Sequence, residues 1–137
     1  MTYSYGDMSL SHLQTCDERL QELMHATLRV SPCDIRILEG HRSIERQKRL
    51  FEEGRTKIDG VNKISQHNHT PSRAVDIAPY PVDWNNAERF YWLAGAVFAT
   101  ANRLQIPIRW GGDWDGDASF ADQNFDDLPH FELLGEN

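Results

Sequence analysis

Ala74-Val75-Asp76-Ile77-Ala78, entered through His67-Asn68-His69-Thr70-Pro71-Ser72-Arg73 and closed by Pro79-Tyr80-Pro81, decides how this chain is read. A short apolar run ended by prolines reads as a buried strand. The single carboxylate inside it must find a partner or a metal. Residues 55–73 ahead of it are polar and rich in turn formers, which reads as a long functional loop. Two histidines on a loop therefore lead into a strand that carries an aspartate.

Toward the N-terminus, Ser9 or Ser11 can cap a helix in which Leu13, Leu20, Leu23, Met24 and Leu28 recur at helical spacing, and Pro32 follows its end. Asp34-Ile35-Arg36-Ile37-Leu38 alternates like a half-buried strand and is broken by Gly40. Ser43 can cap a second helix with Ile44, Gln47, Leu50 and Phe51 on one face, stopped by Gly54. Toward the C-terminus, Asp83 or Asn85 can cap the strongest helix, whose stripe is Phe90, Leu93, Val97, Phe98, Ala101 and Leu104. Phe90, Trp92 and Phe98 are expected in the core. Gln105 to Trp110 reads as a strand stopped by Gly111-Gly112, an acidic loop follows, and His130 to Leu134 reads as the last strand. Helices and strands alternate without a regular βαβ series, which implies an α+β domain: a small, mostly antiparallel sheet with helices packed on it.

The chain has 137 residues, 39% hydrophobic and 26% charged, which excludes fibrous, disordered and disulfide-scaffold classes. Asp and Glu number 21 against 14 Lys and Arg, a net charge of −7 that argues against a nucleic-acid partner and against adhesion to anionic membranes. Cys16 and Cys33 read as two free thiols. No run of 18 apolar residues is present, so no membrane insertion is expected. The opening MTYSYGDMSLSHL lacks the basic and apolar regions of a signal peptide, so the expected location on synthesis is the cytoplasm.

Three groups carry candidate chemistry. His69, Asp76 and a distant His130 offer two imidazoles and a carboxylate, the ligand set of an open catalytic zinc site, although a hydrogen-bonded His–Asp pair gives the same spacing. Asp127 precedes His130 across Leu128-Pro129; it is a candidate acid/base, with Asp126 as rival and a loop aspartate satisfying backbone donors as the plain alternative. Asp113, Asp115 and Asp117 alternate as in the start of a calcium loop, but Ala118 and Asn124 stand where such a loop carries Gly and Glu. Trp110 and Trp114 flank glycines beside these groups, as a cleft wall or as packing.

These residues together resemble a known family. Gly40-His41-Arg42-Ser43 with Gln47, Leu50 and Phe51 is similar to the G-x-R-S-x-x-x-Q-x-x-L-F segment of VanY-like zinc peptidases, the D-alanyl-D-alanine carboxypeptidases and their phage relatives. His69 and Asp76, with Ala74 between, resemble their H-x-x-G-x-A-x-D motif; Asp127-x-x-His130-x-Glu132 resembles their closing segment, and Arg109-Trp110-Gly111-Gly112-Asp113-Trp114 the stretch before it. Ala78-Pro79-Tyr80 and Asp83-Trp84 are similar to phage L-alanyl-D-glutamate endopeptidases, which are endolysins.

The resemblance implies a Hedgehog/DD-peptidase-like fold and zinc held by His69, Asp76 and His130. It implies Asp127 as catalytic acid/base, Arg42 approaching the substrate or stabilising developing charge, and Gln47 as a substrate contact one turn further on. The family motif has Ser two before its first histidine and Gly three after; this chain has His67 and Ser72 there. The ungapped match favours His69, because it also places Ala74; His67, in Ser65-Gln66-His67, is the alternative, with a two-residue insertion. The implied function is hydrolysis of peptidoglycan stem peptides at L-Ala–D-Glu by one catalytic domain over 1–137, with no separate wall-binding module. It would act as a monomer on bacterial peptidoglycan at host lysis, after another protein has permeabilised the membrane. The alternatives are a D,D- or L,D-carboxypeptidase, or a non-catalytic zinc-stabilised virion or binding module.

Overall fold

The computed structural model describes residues 2–117 and 127–135; Asp126, Ala118 and Asn124 lie outside the described residues. The elements are α1 (Asp7–Leu13), α2 (Glu18–Val30), β1 (Asp34–Glu39), α3 (Ile44–Glu52), a 3-10 turn (Gln66–Asn68), β2 (Ala74–Tyr80), α4 (Ala87–Leu104), β3 (Ile108–Gly111) and β4 (Asp127–Leu133). The four strands form one antiparallel sheet in the order β1-β2-β4-β3. The α+β expectation holds.

Several boundaries differ from the sequence reading for local reasons. The expected first helix is two helices, because Asp17 restarts the chain as an N-cap that accepts from the Arg19 backbone N–H. The break is tied down by Asp17 N–H donating to the Ser72 carbonyl and Ser72 N–H donating to the Thr15 carbonyl. Ser43 caps α3 as expected, accepting from Arg46 N–H. α4 starts after Asn86, since the Asp83 carboxylate is used in a turn by Asn85 N–H. Gln105 takes the left-handed conformation at φ 60° and closes α4, so β3 begins only at Ile108. β4 begins at Asp127, three residues before the expected start at His130.

Cross-strand pairing divides the sheet into two faces with different work. Ile37 pairs with Ile77, Val75 with Phe131, Ile108 with Leu133 and Trp110 with Phe131; this face is buried against α2 and α4. Burying each such side chain contributes about 1.5–3 kcal/mol. Asp76 pairs with His130 and Arg109 with Glu132, so the opposite face carries the ionisable residues. In β1 the register shifts between Ile37 and Glu39, and Glu39 consequently pairs with Asp76. Without that bulge Glu39 would share the core face with Ile37; with it, Glu39 joins Asp76.

Of the aromatic residues expected in the core, Phe90 is 4% exposed, but Trp92 is 52% and Phe98 38% exposed. Two residues on from Phe90, Trp92 is turned to the far side of α4. Phe98 sits at the stripe's edge and meets the Trp110 and Phe131 rings edge-on. Both cysteines are free and buried, and burial pushes the Cys16 thiol up to about 12.

Candidate metal centre

His67, Asp76 and His130 meet on the polar face of the sheet. Asp76 Oδ1 lies 3.1 Å from His67 Nε2 and 3.1 Å from His130 Nδ1, and the two ring nitrogens are 3.2 Å apart. β2 and β4 bring Asp76 and His130 together as cross-strand partners. His67 comes from the 3-10 turn, which is built by a capping box: Ser65 Oγ accepts from His67 N–H, and Asn68 Oδ1 accepts from Ser65 N–H. Asn68 Nδ2 donates to the Arg42 carbonyl and Arg42 N–H to the His67 carbonyl, which fastens the turn to the start of α3.

The expected first histidine is thereby corrected: the residue brought to Asp76 and His130 is His67, not His69. The turn aims His67 inward, where it is 1% exposed. His69 follows as the C-cap in extended backbone. From there the chain is drawn away from the cluster, with Ser72 bonded to Thr15 and Arg73 N–H donating to the Gln66 carbonyl.

The outer ring nitrogens decide what the inner ones can do. His67 Nδ1 lies 2.7 Å from the Gly40 carbonyl, which only accepts, so Nδ1 carries the proton. His130 Nε2 lies 2.7 Å from Glu132 Oε1, so it too donates outward. Each neutral ring then presents a lone pair to the space shared with Asp76. Three electron pairs converging at such distances call for a cation, and two imidazoles and a carboxylate oriented from behind are the donor set of an open zinc site. The surrounding charge agrees. Burial opposes ionisation of Asp76, but the His67 and His130 rings hold its carboxyl far below the usual range. Burial likewise opposes a charge on His130, yet Asp76 and Glu132 push its ring up to about 10. A proton and a metal ion compete there for one electron pair.

Arg42 stands beside this cluster. Its Nη2 lies 2.5 Å from Glu39 Oε1 and 3.8 Å from Asp76 Oδ2, and its Nη1 donates to Gln47 Oε1 at 2.9 Å. Burial opposes ionisation of Glu39, but Arg42 and Arg46 hold its carboxyl below the ordinary range. Gln47 departs from its expected role as a substrate contact. It is 0% exposed, its Nε2 donates to the Ile58 carbonyl, and its oxygen is taken by Arg42. It positions Arg42 and the loop behind it and does not line the cleft.

Asp127 lies on the open side, its Oδ2 3.9 Å from His130 Nδ1. Burial, reinforced by the Asp76 charge, pushes its carboxyl above the ordinary range. Gly111 makes its placement possible: a Cβ there would sit 2.1 Å from the Asp127 carbonyl oxygen and 2.8 Å from its Cβ. Gly111→Ala must therefore shift β4. The expected cost is about 1–3 kcal/mol, read as a lower denaturation midpoint, together with slower turnover.

Sequence reasoning gave no role to Glu39 or Glu132. Glu132 was visible in principle, being two residues after His130 on a strand and so on the same face. Glu39 was not, because its face depends on the β1 bulge. Trp114 tilts against the His130 ring at 5.4 Å between centroids, and Arg109 lies 5.2 Å over the Trp114 ring. Arg109 also reaches Glu132 Oε2 at 2.7 Å. His67, Asp76 and His130, with Glu39, Arg42, Arg109, Trp114, Asp127 and Glu132, line a cleft of about 420 Å³. Asp113, Asp115 and Asp117 bring their carboxylates within 4.8 Å of one another beside it. No helix among the described residues is long and apolar enough to cross a membrane.

The family model described as phage L-alanyl-D-glutamate peptidase matches residues 1–134. The chain is 28% identical over 126 residues to the L-alanyl-D-glutamate peptidase of Escherichia phage T5, covering 90% of each. It is 27% identical over 114 residues to the peptidoglycan L-alanyl-D-glutamate endopeptidase CwlK of Bacillus subtilis (strain 168), covering 74% of this chain and 61% of that protein. Among solved structures, the L-Ala D-Glu endopeptidase ChiX of Serratia marcescens superposes with a TM-score of 0.76 at 26% identity, over 96% of this chain and 90% of that one.

Proposed function

We propose, because this chain belongs to the phage L-alanyl-D-glutamate peptidase family, that it hydrolyses the L-Ala–D-Glu bond of peptidoglycan stem peptides at a zinc centre held by His67, Asp76 and His130. The observation that carries this reading is the convergence of three inward lone pairs beside a carboxyl raised above its ordinary range. Zinc, when bound, lowers the pKa of water toward about 7 and polarises a carbonyl oxygen.

The chain's own residues supply the rest. Asp127 takes a proton from the attacking water and delivers it to the leaving amine; a raised carboxyl suits both halves of that task. Arg42, held in place by Glu39 and Gln47, offers positive charge to the carbonyl oxygen as it becomes anionic. Glu132 and the Gly40 carbonyl fix the two imidazoles in the tautomer that binds metal. We read the biological role as phage lysis of the host wall by a monomer. No ion is assigned to the Asp113, Asp115 and Asp117 set, which rests on clustered acids alone.

Purified muropeptides incubated with the zinc-loaded protein are expected to yield new L-Ala carboxyl and D-Glu amino termini by mass spectrometry. Release of free D-Ala instead would overturn this reading in favour of a carboxypeptidase.

A further inference from the structure

The cleft has two unlike ends. Arg42 follows β1 at one edge of the sheet, and from α3 and the loop behind it Arg46, Arg55 and Lys63 line the same side of the metal centre. Arg109 and Trp114 stand on the β3 side. Of the acids that line the cleft, Glu39 is engaged by Arg42 and Arg46, Asp76 within the triad, and Glu132 by His130 and Arg109, while Asp127 stands over the triad, 3.9 Å from His130. Asp59, on the same loop as Lys63, has its Oδ1 taken by the backbone N–H groups of Val61, Asn62 and Lys63. Glu53 meets Arg55 only at 3.4 Å in an exposed pair, which is weak in water. Lys63 has no ion pair among the described residues. A chain of net charge −7 thus presents a cationic wall on one side of its cleft.

The bond assigned above explains what such a wall would meet. The residue on the amine side of that bond is a glutamate with two carboxyls. The peptide continues through one of them only, and the other remains a free anion close to the amine being released. We propose that Arg55 and Lys63, with Arg46 behind them, bind this free carboxylate, so that the stem peptide lies with its amine side toward α3 and its carbonyl side toward Trp114. The enzyme then selects substrates whose glutamyl carboxyl is ionised over those in which it is an amide. This inference rests on the peptidase reading and adds the direction of binding and a charge requirement.

Two synthetic stem peptides, identical except for a free carboxyl or a carboxamide on the glutamyl residue, test it with the zinc-loaded full chain. The free acid is expected to be cleaved with a kcat/KM about tenfold higher, carried by KM, as for a lost charge-assisted hydrogen bond. That preference should shrink in high salt, because the wall is exposed. In the double variant Arg55→Gln, Lys63→Gln it should fall within about twofold. Lys48→Gln, exposed on α3 outside the cleft, should keep it. Equal cleavage of the two peptides by the unaltered protein, or a preference that survives the double variant, overturns the proposal while leaving the peptidase reading intact. Cleavage of neither peptide would overturn the peptidase reading and this inference with it.

Discussion

His67→Ala is expected to purify without bound zinc and without measurable hydrolysis, while His69→Ala keeps both. His67 supplies the Nε2 that lies 3.1 Å from Asp76 and 3.2 Å from His130. Loss of one of the three proposed ligands leaves Asp76 and His130 to share a proton in place of the metal. His69 caps the same short turn from its far end and gives no atom to the cluster. Metal content of each variant, read beside its circular dichroism, separates loss of a ligand from loss of the fold. A metal-free His69 variant with a metal-loaded His67 variant would reverse the assignment.

Asp127→Ala is expected to reduce kcat by about a hundredfold to ten-thousandfold while leaving zinc and fold in place, the range for removing a positioned acid/base. Asp127 lies 3.9 Å from the nearest ring nitrogen of the triad, beyond hydrogen-bond reach but next to the proposed metal ligands. It is also largely enclosed, where a carboxyl is held more weakly ionised than in water. The check is single-turnover cleavage of muropeptides together with metal analysis. Activity surviving the change would move the proton transfer to another group; lost metal would make Asp127 a ligand.

The fold class was legible because it depends on patterns the sequence writes locally. The period of two in Asp34–Leu38, the apolar run around Asp76 and the stripe from Phe90 to Leu104 each specify an element without help from elsewhere. Asp76 was legible for a related reason, since a carboxylate inside an apolar strand needs a partner, and His130 as an imidazole that completes a ligand set; Arg42 was singled out only by the family resemblance. What was hidden depended on geometry between elements. His67 and His69 differ by two residues, and only the capping box that turns the chain at Ser65 decides which one faces inward. Gln47 carries the family's motif position, but its burial follows from how the loop at Ile58 folds over α3. Glu39 is hidden by a one-residue bulge, and Trp92 by the narrowness of the face that α4 presents to the sheet.

The division of the sheet into a packing face and an ionisable face also constrains how this protein can diverge. Along β2 and β4, Val75, Ile77, Phe131 and Leu133 are held by volume, while Asp76, His130 and Glu132 between them are held by charge and hydrogen bonding. The buried positions on these two strands have little room to drift. Change must collect on the outer helix surfaces and the cleft-side loop, where Arg55 and Lys63 stand. A substitution there can alter the proposed substrate wall while leaving the buried floor of the cleft unchanged.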